Sequence, residues 1–175
     1  MVIVRTGDRL DQELVSAQLP VVVILDRLRS AHNVGNIFRL VEAVCGEAIA
    51  ACGYTACPPH EKLAKTAMGS DQLVTCNHYE TSAQAILDYR ARGYRIYGVE
   101  TVENATLYCD VDIQFPCALV LGNEALGISD DALSLCDQFV CLPSRGRKNS
   151  INVGNCAAVV LYECLRQHQA ASEIK

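Results

Sequence analysis

No stretch of this sequence approaches the roughly 18 to 20 uninterrupted apolar residues that a membrane-spanning helix requires. The N-terminus, Met1-Val-Ile-Val-Arg-Thr-Gly-Asp, lacks a basic stretch followed by an apolar core, so it does not read as a secretory signal. Ten cysteines are present but no C-x-x-C pair. Two looser C-x4-C pairs, Cys52/Cys57 and Cys136/Cys141, have no matching second set of ligands, and His60 alone beside the first makes a weak zinc case. Most cysteines fall in apolar runs such as Pro116-Cys-Ala-Leu-Val-Leu121, where the thiol acts as a small hydrophobe. Also missing are the phosphate loop G-x-x-x-x-G-K-[ST], the dinucleotide fingerprint G-x-G-x-x-G and the nucleophile elbow G-x-S-x-G. No two histidines stand at H-x-x-x-H spacing, and the acids are not grouped as metal ligands. These absences remove the best evidence for nucleotide hydrolysis, serine-type acyl transfer and metal-dependent hydrolysis.

What is present is a chain of 175 residues, 50% hydrophobic and 20% charged, enough to bury a core as one domain over residues 1–175. The expectation is a soluble, cytoplasmic protein with no membrane partner. The formal net charge of -5 argues against an anionic partner, but the charges are unevenly placed. No Lys or Arg lies between Arg95 and Arg145, an interval holding eight acids, whereas the remainder carries 15 basic against 12 acidic residues. Basic residues gather in two runs, Arg27/Arg29 and Arg145/Arg147/Lys148, and a local patch of this kind can serve an anionic partner on an acidic protein. Taken alone, either run also reads as a solvated loop.

Short apolar runs alternate with helical periodicity. Strands are expected at 21–25, 48–52, 73–76, 95–100, 117–121 and 139–142. Helices are expected at 34–45, 60–68, 82–92 with Ser82 as N-cap, 130–135 with Ser129 as N-cap, and 153–165. The last is the clearest, with Val153, Cys156, Ala157, Val160, Leu161, Cys164 and Leu165 on one stripe. Regular alternation of this kind predicts an α/β fold with a mostly parallel sheet flanked by helices. Ligands of such sheets bind beyond the carboxyl ends of the strands. Three loops there are rich in Gly, Asn and Arg: residues 26–39, 122–129 and 143–154.

Those loops carry a resemblance. Asn33-Val-Gly-Asn-Ile-Phe-Arg39, Leu121-Gly-Asn-Glu-Ala-Leu-Gly127 and Leu142-Pro143 through Ser150-Ile-Asn152-Val resemble the three motifs of the SpoU, or TrmH-like, family of SPOUT RNA methyltransferases. The likeness runs from about Val21 to Glu163, with the motifs in the family's order and spacing. It implies transfer of a methyl group from S-adenosylmethionine to a ribose 2'-hydroxyl of tRNA or rRNA. It also implies a trefoil knot within about residues 117–165, a homodimer, and no metal. The expectation from the resemblance is a catalytic domain alone, without the additional N-terminal RNA-binding domain of some relatives.

By the same resemblance, Arg39 positions the RNA and activates its hydroxyl, and Asn33, Glu124, Ser150 and Asn152 are the polar catalytic positions. Arginine is a poor base at its ordinary pKa, so electrostatic activation is the reading that its chemistry favours. Thr101, Leu121, Gly122, Leu142 and Ile151 stand where the family's backbone cradles the cofactor. Arg27, Arg29, Arg145, Arg147 and Lys148 are the candidate RNA contacts. Two positions depart from the family: Ser144 replaces a methionine, and Gly154 replaces a serine. Taken singly, Asn33 and Asn152 read as helix caps, Ser150 as a loop serine, Arg39 as an exposed helical arginine and Glu124 as a solvated acid. Two rival functions stay open, a non-catalytic RNA-binding relative and an RNA base methyltransferase. A transfer assay and the position of the methyl group separate them.

Overall fold

A computed structural model describes residues 18–147 and 150–173; Lys148 and the first 17 positions lie outside the described residues. At its centre is β1 (Leu19–Asp26), whose residues from Val21 to Asp26 are all buried. Successive side chains of a strand point to opposite faces, so an unbroken apolar run means that both faces are covered. Val21, Val23 and Leu25 enter one core cluster, and Val22 and Ile24 enter another on the opposite side. The same division recurs in β6 (Cys117–Leu121), with Cys117, Leu119 and Leu121 on the first side and Ala118 and Val120 on the second.

The remaining strands are β2 (Gly46–Cys52), β3 (Cys76–Tyr79), β4 (Arg95–Val99), β5 (Thr106–Leu107) and β7 (Gln138–Cys141). Their order is β3-β2-β1-β6-β4-β7-β5, and every pairing is parallel. From β1 the chain moves outward to β2 and β3, crosses to β4, and returns through β6 to lie beside β1. Strand order therefore reverses at β1/β6, the place where open α/β sheets leave a crevice at their carboxyl ends.

Helix α1 (Ala31–Ala43) packs Val34, Ile37, Phe38 and Val41 onto the first face, at i, i+3, i+4 and i+7 spacing. The same face takes α2 (Glu61–Ala67) through Leu63 and Ala67, and α6 (Val153–Glu173) through Ala157, Val160, Leu161 and Cys164. The second face is covered by α4 (Ser82–Ala91), with Ala85, Ile86 and Tyr89, and by Ala132 of α5 (Asp130–Ser134). No helix among the described residues is long and apolar enough to cross a membrane.

The parallel α/β expectation holds, with local corrections. The strand expected at 73–76 lies at Cys76–Tyr79, and Ser70–Leu73 forms a short helical turn, α3. Helix α1 begins three residues earlier than its apolar stripe suggests, because the Ser30 side chain caps it by accepting from Asn33 N. Helix α4 is capped by Thr81, whose hydroxyl and the Gln84 side chain form a reciprocal capping box, so Ser82 is the first helical residue. Ser129 holds the N-cap position of α5 but makes no capping bond with its side chain. Beyond Leu165, α6 continues for two further turns, held at their start by Gln167, which bonds Ile113 N and Val111 O, and by His168 against Phe115.

Candidate active site

Glu124, just past β6, is the hub of the crevice. Its carboxylate accepts from Arg29 N at 2.9 Å, Ser30 N at 3.1 Å and Asn33 Nδ2 at 2.8 Å. The β6 loop is thereby tied to the loop after β1 and to the first turn of α1. Its backbone donors lie where a helix start leaves amides unpaired and favours negative charge. Partial burial would raise the Glu124 pKa, but the bonds from Arg29 N, the Asn33 amide and Ser30 N outweigh it, leaving the carboxyl below its ordinary value.

The third loop joins through two asparagines. Asn152 Nδ2 donates to Asn33 Oδ1 at 3.2 Å, and Asn152 Oδ1 accepts from Gly154 N at 2.9 Å and Asn155 N at 3.4 Å. Asn152 therefore caps α6 and belongs to the polar chain as well, whereas the cap of α1 is Ser30 and not Asn33. The glycine at 154 has a local reason too. A Cβ there would stand 2.7 Å from Asn36 Nδ2, so a serine would displace that side chain.

Beside this chain of bonds opens a cavity of about 540 Å³, of the size that holds a small ligand. Thr101, Leu121, Gly122, Leu142 and Ile151 all line it, together with Glu124, Ser144, Ser150 and Asn152. The loop after β6 forms its lip by turning back on itself. Asn123 N donates to Gly127 O at 3.0 Å, and Gly127 N donates to Asn123 O at 2.9 Å. Only glycine fits at 122, where a Cβ would lie 2.3 Å from Ile128 N. Gly127 has φ +69°, and a Cβ would lie 2.7 Å from Glu100 Oε2.

The SpoU rRNA Methylase family model matches residues 20–162, which contain all three loops and this cavity. The chain belongs to the SpoU family. Among curated relatives, the tRNA (guanosine(18)-2'-O)-methyltransferase of Escherichia coli strain K12 is 29% identical over 166 residues, covering 93% of this chain and 70% of that protein. Among solved structures, the TrmH/SpoU tRNA modifying enzyme of A. aeolicus superposes with a TM-score of 0.80 at 24% identity, covering 89% of this chain and 78% of that one. The SpoU methyltransferase AviRb from Streptomyces viridochromogenes, in complex with AdoMet, gives a TM-score of 0.79 at 25% identity, covering 91% and 65%.

Other expected residues of this SpoU chain stand apart from the cavity. Arg39, in the third turn of α1, is exposed, is not part of the cavity wall and makes no side-chain hydrogen bond or ion pair among the described residues. Arg27 donates through Nε to Asp26 at 3.0 Å, so part of its charge is already answered. The Arg29 side chain is exposed beside Glu124. Arg145 and Arg147 are exposed in the segment between Ser144 and Ser150, both of which line the cavity. Lys148 lies outside the described residues.

Three organising side chains were not singled out from sequence. Glu100, after β4, accepts from Thr101 N at 3.0 Å and Ile128 N at 3.2 Å, joining two walls of the cavity. Buried Asn123 donates to Arg27 O and to Tyr54 Oη, and its Oδ1 accepts from Ala125 N and Leu126 N. Buried Asp26 accepts from Ser82 Oγ at 2.7 Å and Ser129 N at 2.7 Å. Burial would raise its pKa, but bonds from Ser129, Ser82 and Arg27 prevail and lower it. The only signal for these three was their position at or just past strand ends.

Proposed function

We propose that this chain transfers a methyl group from S-adenosylmethionine to a ribose 2'-hydroxyl of tRNA or rRNA. One observation carries the reading: the three loops that bear the SpoU motifs are joined by the Glu124–Asn33–Asn152 chain at the rim of a single cavity. The cavity suits the cofactor. Gly122 and Gly127 keep its wall free of side chains, and the carboxylates of Glu100 and Glu124 favour a sulfonium cation. When bound, S-adenosylmethionine supplies an electrophilic methyl group, and the transfer needs no metal.

The residues divide the work as follows. The backbone around Thr101, Leu121, Gly122, Leu142 and Ile151 holds the cofactor. Glu124 remains ionised and its oxygens are engaged, so it orders the β1 loop and α1 and is not the acceptor of the hydroxyl proton. Asn33 and Asn152 pass that order to the start of α6. The Ser150 hydroxyl faces the incoming ribose. Arg39 supplies a permanent positive charge on the RNA side that favours the oxygen as it gains the methyl group and the sulfur–methyl bond breaks. The hydroxyl proton passes to solvent water at the cavity mouth, where Glu124 and Ser150 are exposed. Since Arg39 stands outside the cavity wall, the RNA backbone must pass from α1 to the cavity mouth, held by Arg27, Arg29, Arg145, Arg147 and Lys148.

The reading includes a cytoplasmic homodimer, a single domain and a knotted segment within about residues 117–165. Val159 and Tyr162, exposed on α6, offer apolar surface to a second copy. Mapping ribose methylation across total RNA from cells with and without the protein tests the function. A specific 2'-O-methyl group that disappears without the protein is the expected result. An unchanged map in RNA from cells that otherwise express the protein would overturn it.

A further inference from the structure

Tyr54 lies just beyond β2, on the same end of the sheet as the cavity, and is 60% exposed. Large aromatic rings are ordinarily withdrawn from water, as Tyr89 and Tyr97 are here. The Tyr54 ring is nevertheless anchored at its hydroxyl. Asn123 Nδ2 donates to its hydroxyl at 2.9 Å, and Asn123 is itself buried in the lip of the cavity. The polar end of the ring is thus one hydrogen bond from the cavity wall, while more than half of the residue stays exposed.

The surroundings hold two arginines, Arg27, which is paired with Asp26, and the exposed Arg29. The Arg27 stem packs against Gly53, where a Cβ would come 3.1 Å from its Cγ, and Arg27 O accepts the other bond from Asn123 Nδ2. Exposed Arg29 lies two residues further on, its backbone N held by Glu124. An exposed aromatic ring anchored at its hydroxyl, near two arginines and tied to a cofactor-sized cavity, matches an unstacked nucleotide better than an apolar protein segment. Reaching a cavity with a ribose also requires its nucleotide to leave the helical stack, and a new stacking partner offsets that cost.

We infer that Tyr54 is the platform on which a base of the RNA substrate stacks while a ribose faces the cavity. The inference rests on the RNA reading above and adds a substrate-positioning residue to it. Tyr54 touches the base and takes no part in the proton or methyl transfer.

The sequence contains no tryptophan, so Tyr54→Trp introduces a lone indole at the site. Titration with bulk tRNA from cells lacking the protein should quench its emission, at the same RNA concentrations that saturate methyl acceptance. Leu87→Trp, exposed on α4, should show no quenching. Tyr54→Ala should weaken tRNA binding about 5- to 150-fold, the worth of one stacked base. Tyr54→Phe, which keeps the ring and loses the Asn123 bond, should stay within about three-fold of wild type by the same reasoning. S-adenosylmethionine affinity should be unchanged in both.

Equal losses in the Phe and Ala variants, with weakened cofactor binding, would mean a merely structural Tyr54 and overturn the inference. So would unquenched emission, unaltered tRNA binding by Tyr54→Ala, or emission that changes with protein concentration alone because a second copy covers the ring. If wild type binds and methylates RNA while these tests fail, only the platform is wrong. If wild type neither binds nor methylates RNA, the platform and the proposed function fall together.

Discussion

Two carboxylates, Asp26 and Glu124, hold loops together at the same end of the sheet, and they do so in opposite surroundings. Asp26 is 1% exposed and gathers Arg27, the Ser82 hydroxyl and Ser129 N, locking β1 to the starts of α4 and α5. Glu124 is open to solvent at the cavity and gathers Arg29 N, Ser30 N and the Asn33 amide. Both have lowered pKa values because accepted hydrogen bonds outweigh burial. One local chemistry thus serves two ends. At the sealed junction, losing the carboxylate strands polar groups in the interior. At the open junction water can replace much of what is lost, and what suffers is the shape of the site.

The contrast is sharpest where activity and stability separate. Arg39 belongs to neither junction, and Arg39→Ala should lower methyl transfer by about 10³-fold, comparable to removal of a key electrostatic stabiliser. Its melting temperature and cofactor affinity should stay near wild type, and turnover within a few-fold of wild type would remove Arg39 from the mechanism. Asp26→Ala should cost about 3 kcal/mol in denaturant unfolding, because Ser129 N, Ser82 and Arg27 lose a shared buried partner. A loss below about 1 kcal/mol would show that the sealed junction is not needed for the fold.

Glu124→Gln should reduce turnover about 100-fold, the effect of misplacing reacting groups by about an ångström. It should cost only about 1 kcal/mol of stability. Equal stability losses in the Asp26 and Glu124 variants would erase the distinction between the junctions. A smaller effect is expected from Arg145→Ala combined with Arg147→Ala, which should flatten the salt dependence of log RNA affinity by about 1.4 if both touch phosphate. An unchanged slope places the RNA backbone elsewhere, with Arg27 and Arg29 next to test.

Acid gives the mildest test. Carboxyls with lowered folded pKa values contribute stability above their unfolded values, about 3.9 for Asp and 4.3 for Glu. That contribution is lost as pH falls through the folded values. Melting temperature should therefore fall as pH drops below about 4, and Asp26→Asn and Glu124→Gln should each flatten part of that fall. An unaltered acid profile in both variants would mean that neither carboxylate is linked to folding.

Much of this arrangement was legible in the residues. The apolar runs at β1 and β6 marked strands covered on both faces, and the Gly-, Asn- and Arg-rich loops after β1, β6 and β7 lie at the end of the sheet where the cavity opens. All five expected cofactor positions line one cavity, because loops at the carboxyl ends of neighbouring parallel strands converge. Local ambiguities misled elsewhere. Leu73-Val-Thr-Cys76 has strand composition, but a run this short does not separate strand from helical turn, and α3 occupies its start. Thr81 and Ser82 are both fair caps, and Gln84 decides for Thr81.

Glu100, Asn123 and Asp26 left no periodic trace, since each bonds to groups distant in sequence, as when Glu100 accepts from Ile128 N. Asn152 is a helix cap and a member of the polar chain at once. Its oxygen caps α6 and its amide joins the site.

The central claim, that the open junction serves methyl transfer to ribose, is tested most directly by the product. RNA from cells lacking the protein would be incubated with the wild-type chain and S-adenosylmethionine carrying a deuterated methyl group, then digested to nucleosides for mass spectrometry. The account predicts the isotopic label on the ribose of a nucleoside, as a 2'-O-methyl group. Label on a base, or no label in RNA that the protein demonstrably binds, would contradict it.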